Sequence, residues 1–266
     1  MTPTPAELVA VAARLRAAGC VWAEDEAALL AGEAPDQATL DVLVGRRVAG
    51  EPLEQVVGWA AFAGLRVAVA PGVFVPRART QALVRRAVRL AAGVPHPTVV
   101  DLCCGTGAVG LAVARAHPGT RLWATDIDPA AVACARANLD GLGTALQGDL
   151  DAPLPAGLRG RVDVLAANAP YVPTTEIAHM PPEARDHEPL VALDGGADGV
   201  DLHRRVAAAA PGWLAPGGHL LIETSTAQAD ATAAACEAHG LRTRVEHDDD
   251  VDGTVVVARR SGGSRS

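Results

Sequence analysis

The sequence predicts an α/β protein: a doubly wound, mostly parallel sheet preceded by a small helical domain. Three observations predict it. From Thr98 onward apolar strands alternate with helices, the form of a parallel sheet covered on both faces. The first of those strands runs into a glycine turn, Cys103-Cys104-Gly105-Thr106-Gly107, and then into a helix start. Ahead of it, residues 5 to 49 keep helical spacing of apolar side chains.

In that first stretch Leu8, Val11, Ala12 and Leu15 recur at helical intervals. A second helix is expected over Ala23–Ala31 and a third over Gln37–Val48, with Leu40, Val44 and Val48 on one face. Glu51–Arg77 carries short apolar runs around Ala63-Gly64 and Pro71-Gly72, which suits a β-hairpin, and a helix follows from Thr80 to Ala92. Strands are expected at Thr98–Leu102, Arg121–Asp126, Ala145–Gly148, Val162–Ala167 and His219–Glu223. Helices cover Ala108–Ala116 and, capped by Asp128 and begun by Pro129, the residues up to Leu139. Ala169–Asp201, rich in proline and polar residues, reads as a long loop over the site. Strands near Thr243–Glu246 and Thr254–Ala258 close the sheet as an edge hairpin and bring the strand count to seven. The domain plan is therefore 1–50 as a helical substrate-docking unit, 51–94 as a linking hairpin and helix, 95–260 as the α/β domain and 261–266 as a disordered tail.

Composition narrows the function. With 49% hydrophobic and 20% charged residues the chain reads as folded and soluble. Its net charge of −8 argues against broad nucleic-acid binding, which needs a basic face. All 23 basic residues are arginine, and Arg77, Arg79, Arg85, Arg86 and Arg89 occur with no acid among them, as a solvated helix face or a docking edge for a partner. Five cysteines without paired spacing make no disulfide framework, and no His or Cys pair has zinc-type spacing, so no metal is expected. No signal peptide is evident in Met1-Thr2-Pro3-Thr4-Pro5. The longest uncharged run, Val206–Ile222, is broken by Pro211 and Pro216 and does not read as a membrane span. The expected location is cytoplasmic, with no membrane partner.

The glycine turn after Val99-Val100-Asp101-Leu102 reads as a nucleotide cradle, since glycine admits positive φ and close ligand approach while the helix start offers free N–H donors. Gly105-x-Gly107-x-x-Gly110 also fits a dinucleotide turn, which keeps an NAD-type oxidoreductase open; no lysine follows, which excludes a Walker-type phosphate loop. In a doubly wound sheet ligands sit outside the carboxyl ends of the strands. Asp101, Asp126, Asp149 and Asn168 fall at those ends. Asp101 can reach a cationic or hydroxyl-bearing ligand, Asp126 a ribose diol and Asp149 an adenine amino group. After the fourth strand comes Asn168-Ala169-Pro170-Tyr171. There the Asn168 amide oxygen and the Ala169 carbonyl can hold the two hydrogens of a planar –NH₂ group, with the only tyrosine of the chain stacked on its plane.

These residues resemble the S-adenosylmethionine-dependent methyltransferases, with Asp101–Gly107 as the cofactor loop and Asn168–Tyr171 as the Asn-Pro-Pro-Tyr motif. More narrowly, the chain is similar to the HemK/PrmC family of protein N5-glutamine methyltransferases. The supporting stretches are Gly50-Glu51-Pro52, Phe74-Val75-Pro76-Arg77-x-x-Thr80, Glu188-Pro189, Gly195 with Gly199, and Gly217-Gly218 through Glu223 to Gln228. The resemblance implies a seven-stranded class I methyltransferase sheet and S-adenosyl-L-methionine as cofactor. It implies cofactor contacts from Asp101, Cys103, Gly105, Thr106, Gly107, Asp126, Ile127, Asp149, Leu150 and Asn168. Catalysis would fall to Asn168, Ala169, Pro170 and Tyr171. The implied partner is a protein substrate, the Gly-Gly-Gln motif of a peptide-chain release factor. Ala169 stands where the motif has its first proline, Cys103 where the loop has a glycine, and Gln81 where the family has an acid. Two alternatives follow from the residues: methylation of an exocyclic amino group of a nucleic-acid base, and a cofactor-binding scaffold without catalysis.

Overall fold

A computed structural model describes residues 4–262. Residues 263–266 of the expected tail, and the first three residues, lie outside the described residues. The chain opens with α1 (Pro5–Ala17), α2 (Ala23–Glu33) and α3 (Gln37–Val48). Thr4 and Glu7 cap α1 reciprocally and Asp36 caps α3 through the Thr39 N–H at 2.8 Å, so both starts are set by local sequence. Leu15, Leu30, Leu40 and Val44 form the sealed centre of this unit. Arg47 of α3 donates to Glu26 of α2 at 2.7 Å, a pair that removes both charges from solvent without leaving either unpaired.

A five-residue helix that the sequence reading did not foresee, α4 (Leu53–Val57), ends at Gly58 with φ +82°. The hairpin β1 (Trp59–Phe62) and β2 (Leu65–Ala68) follows, turning through Ala63 and Gly64, both at positive φ as a tight hairpin requires. Pro71-Gly72 turns the chain without pairing strands. A single helical turn at Ala78–Thr80 then leads into α5 (Gln81–Ala91).

The remaining elements are β3 (Thr98–Leu102), α6 (Ala108–Ala116), β4 (Arg121–Asp126), α7 (Pro129–Asn138), β5 (Gly143–Gln147), β6 (Val162–Ala167), α8 (Pro182–His187), α9 (Asp201–Trp213), β7 (Leu214–Thr224), α10 (Ala229–Glu237), β8 (Arg242–Asp248) and β9 (Gly253–Arg259). They build one seven-stranded sheet in the order β5-β4-β3-β6-β7-β9-β8, parallel from β5 to β7 and antiparallel at β9 and β8. The expected edge hairpin is present, with β8 outermost and β9 paired on both sides. Successive side chains face opposite layers: Val99, Val164 and Leu221 pack beneath α5 and α6, while Val100, Leu165 and Leu220 pack against α9, where Trp213 is 2% exposed. From β3 the chain winds outward to β5 and then returns to β6 on the other side. The crevice at that reversal is where a doubly wound sheet places its ligand.

On α5 the solvated-face reading holds for Arg85 and Arg89, which are exposed, and not for Arg86, which is buried. Arg85 donates to Asp248 and Asp250 at 2.9 Å, Arg89 to Glu246 at 3.0 Å, and Arg86 pairs with both Glu246 and Asp248. The stripe is neutralised inside the chain by acids of β8 and the turn after it, and it clips α5 to the sheet edge. Among the described residues no helix is long and apolar enough to cross a membrane.

Candidate active site

A cavity of about 980 Å³ opens over the carboxyl ends of β3, β4, β6 and β7. The loop on its floor is held by backbone. The Cys104 N–H donates to the Thr125 carbonyl at 3.0 Å, and Gly105 and Gly107 take φ of +53° and +75°. Cys103 sits at φ +54°, a left-handed conformation that an L side chain adopts only under strain and that explains a glycine preference here. Asp126 accepts from the Gly105 N–H at 2.8 Å on one oxygen and from the Asp128 N–H at 3.0 Å on the other. Each oxygen keeps a lone pair for a ribose hydroxyl.

Asp101 is 1% exposed and accepts from the Gly110 N–H at 2.9 Å, tying β3 to the first turns of α6. Burial pushes its carboxyl up to about 7, with the Asp126 charge adding to the effect. A buried carboxyl at the wall of a cavity is best relieved by a cation. Asp149 pairs with Arg205 at 2.6 Å, and Ile127, 49% exposed, offers an apolar face beside Asp126. Gly107 does not line the cavity. An added Cβ there would lie 3.2 Å from Ala135 and 3.3 Å from Leu139, so this glycine serves the packing of α6 on α7. All the other expected cofactor residues line it.

The fourth wall is the turn after β6. Asn168 donates from Nδ2 to Thr80 Oγ1 at 3.3 Å, which leaves Oδ1 as an acceptor at the cavity. Ala169 is 1% exposed and Tyr171 half-buried, with its phenol pushed up to about 12 by burial. The turn is clamped from behind. Gln228 Nε2 donates to the Tyr171 carbonyl at 2.8 Å, and a Cβ on Gly195 would lie 2.7 Å from Tyr171 Cα and 2.8 Å from the Pro170 carbonyl. Glu188 accepts from the Val75 N–H at 3.1 Å and from Arg77 at 2.6 Å, fastening the segment before Gly195 to the strip that ends in Thr80.

Residues 65–180 match the family model of the methyltransferase small domain. The release factor glutamine methyltransferase of Mycolicibacterium smegmatis is 38% identical over 272 residues, covering 95% of each chain. This chain belongs to the release factor glutamine methyltransferase family. The 4-amino-L-phenylalanine/4-methylamino-L-phenylalanine methyltransferase of Streptomyces pristinaespiralis is 39% identical over 203 residues, 74% of this chain and 69% of that one. Among solved structures, the T. thermophilus 16S rRNA methyltransferase in complex with AdoMet and guanosine aligns at a TM-score of 0.52 and 23% identity, over 76% of this chain and 49% of that chain; this likeness concerns the fold alone.

For a member of this family, the cofactor wall fits S-adenosylmethionine on this chain's own chemistry. It offers acceptor positions on Asp126 and a desolvated carboxyl on Asp101 suited to a cation, and Arg205 is taken up by Asp149. Sequence reasoning passed over three residues of the site. Thr80 and Glu223 entered only through the resemblance, and both are buried against Asn168 and Tyr171. His203, 0% exposed, bonds Thr232 at 2.8 Å, and burial pushes it down to about 4, so it backs the Ala169 turn as a neutral ring. Its signal in the sequence is a lone histidine just past the expected loop, in α9 (Asp201–Trp213), where the apolar pattern predicts no element.

Proposed function

We propose that the chain transfers a methyl group from S-adenosylmethionine to the side-chain amide nitrogen of a protein glutamine, in the Gly-Gly-Gln motif of peptide-chain release factors. The observation that carries this is the Asn168 amide, turned with its nitrogen on Thr80 and its oxygen at the cavity, directly before the Ala169 carbonyl. Both atoms accept hydrogen bonds, and both hydrogens of an –NH₂ group need acceptors.

S-adenosylmethionine supplies an electrophilic sulfonium methyl. Asp126 would hold its ribose, Asp101 and the glycine loop its cationic end, and Ile127 and Leu150 would line the place of its adenine. Asn168 and Ala169 would hold the substrate nitrogen and orient its lone pair, weak because it is delocalised into the amide, for attack on that methyl. They also stabilise positive charge on that nitrogen as the bond forms, and the extra proton leaves afterwards to water. Ala169 in place of a proline does not disarm the hook, because Gly195, Gln228 and the strip around Glu188 fasten the turn from outside it. That argues for catalysis over a silent scaffold.

Residues 1–50 serve as the docking unit for the protein substrate, and the reaction belongs in the cytoplasm, where release factors work. A base-directed activity is disfavoured by the charge of −8 and by the pairing of the α5 arginines. The Streptomyces pristinaespiralis relative supports a second reading, an aromatic amine held by the same two acceptors. Transfer of labelled methyl to purified release factor decides between them. The expected result is label on the wild-type factor and none when its Gly-Gly-Gln glutamine is replaced by alanine. Label on 4-amino-L-phenylalanine alone would select the second reading.

A further inference from the structure

The carboxyl end of β7 carries a group to which methyl transfer, as described above, gives no task. Ala167 of β6 pairs with Ile222 of β7, so the next residues, Asn168 and Glu223, stand side by side at the same edge of the sheet. Glu223 is 1% exposed and lines the cavity. Its Oε1 accepts one long bond, 3.5 Å, from the Tyr171 hydroxyl, and its Oε2 is buried with no partner. Thr80, 3% exposed, receives the Asn168 amide hydrogen on its hydroxyl at 3.3 Å and lies close enough to the Glu223 carboxyl to favour its charged form. A buried carboxyl short of donors is costly in a fold and calls for a reason.

We propose that Glu223, acting through Thr80, is a positioning residue that sets which way the Asn168 amide faces. A hydroxyl has one hydrogen and two lone pairs. With Glu223 accepting that hydrogen, Thr80 presents only a lone pair to Asn168, which must answer with Nδ2 and leave Oδ1 for the substrate –NH₂. Protonated Glu223 can instead donate to Thr80, whose hydrogen then turns toward Asn168 and favours the flipped amide, with –NH₂ facing –NH₂ and the hook lost. Burial pushes Glu223 up to about 7, and Thr80, Arg79 and Tyr171 draw it partly back. From the other side β9 places Val255 opposite it, which carries no charge. The relay deepens the proposed function and rests on it only in taking Oδ1 as the atom the substrate meets.

Two measurements test it, the first independent of any substrate. The Asn168 side-chain ¹⁵N–¹H pair, assigned by its loss in Asn168→Ala, should shift with Glu223 titration between about pH 5.5 and 8.5 and be flat in Glu223→Gln and Thr80→Val. A flat wild-type signal, or a titration that survives in Glu223→Gln, overturns the relay. In methyl transfer, Glu223→Gln and Thr80→Val should each lower kcat about tenfold while the cofactor Kd moves less than about twofold. The double variant should be no slower than the slower single variant, and Thr80→Ser should recover most of the loss. Losses that multiply in the double variant overturn the relay. Should the wild-type protein leave release factors unlabelled, the proposed function fails and the resonance experiment still decides the relay.

Discussion

Asn168 faces the cavity with one acceptor because its nitrogen is bonded to Thr80, and on the proposed function its truncation removes a preorganised partner of the substrate amide. Asn168→Ala is expected to lower kcat by about 10²–10³, roughly 3–4 kcal/mol in the barrier, with a much smaller change in the S-adenosylmethionine Kd by calorimetry. Cys103 makes the opposite case. Its φ of +54° is a conformation glycine holds without strain, so Cys103→Gly should raise stability by about 1 kcal/mol in urea unfolding. Both residues were legible because their chemistry is local: an acceptor after an apolar strand, a glycine turn with one position filled. Glu223 was not legible from its neighbours, since its meaning comes from lying beside Asn168, 55 positions away in sequence, and only strand order creates that adjacency.

At the level of elements, α1, α2, α3, α5, α6, α7 and all seven strands of the large sheet were legible, from periodicity, caps or clean apolar runs. The helices α9 and α10 were not. Alanine-rich segments carry little periodic contrast, and Pro211 and Gly212 inside α9 read as breakers, although Val206, Ala207 and Ala210 of its buried face lie before them. The segment from Ala169 to Val200 is less a free loop than a strap, pinned at Glu188, Gly195 and Gly199. A Cβ on Gly199 would meet Gln228 Nε2 at 2.2 Å and the Tyr171 carbonyl at 2.3 Å, at a φ of +76°. Gly199→Ala should therefore push the Asn168–Tyr171 turn out of place. The expected outcome is a fall in kcat/KM of more than about tenfold with about 2 kcal/mol of lost stability, read by methyl transfer and by thermal unfolding.

Across the whole molecule the cavity concentrates carboxyls whose ionisation folding opposes, and the sign of their effect can be worked out. Asp101 and Glu223 rise to about 7 on burial, and Asp126 and Glu188 rise as well. Groups raised in the folded state stabilise it fully below their unfolded values, near 3.8 for Asp and 4.5 for Glu, and lose that contribution as pH climbs through the folded values. His203, lowered from 6.5 to about 4, works the other way: its contribution is present above 6.5 and is lost as pH falls through 4. Between about pH 4.5 and 6.5 the two trends oppose each other, and above that only the carboxyls still titrate. The raised carboxyls outnumber the single histidine, so the ligand-free protein should lose roughly 5–10 °C in Tm between about pH 5 and 7 and then level off by about pH 8. A cation beside Asp101 favours its charged form, so S-adenosylmethionine should bind more tightly as pH rises through 7 and release protons on binding. Calorimetry in buffers of different ionisation enthalpy measures that release, and it should shrink in Asp101→Asn, which keeps the acceptor for Gly110 and discards the charge. Equal proton release in the variant would place the cation's partner elsewhere in the cavity.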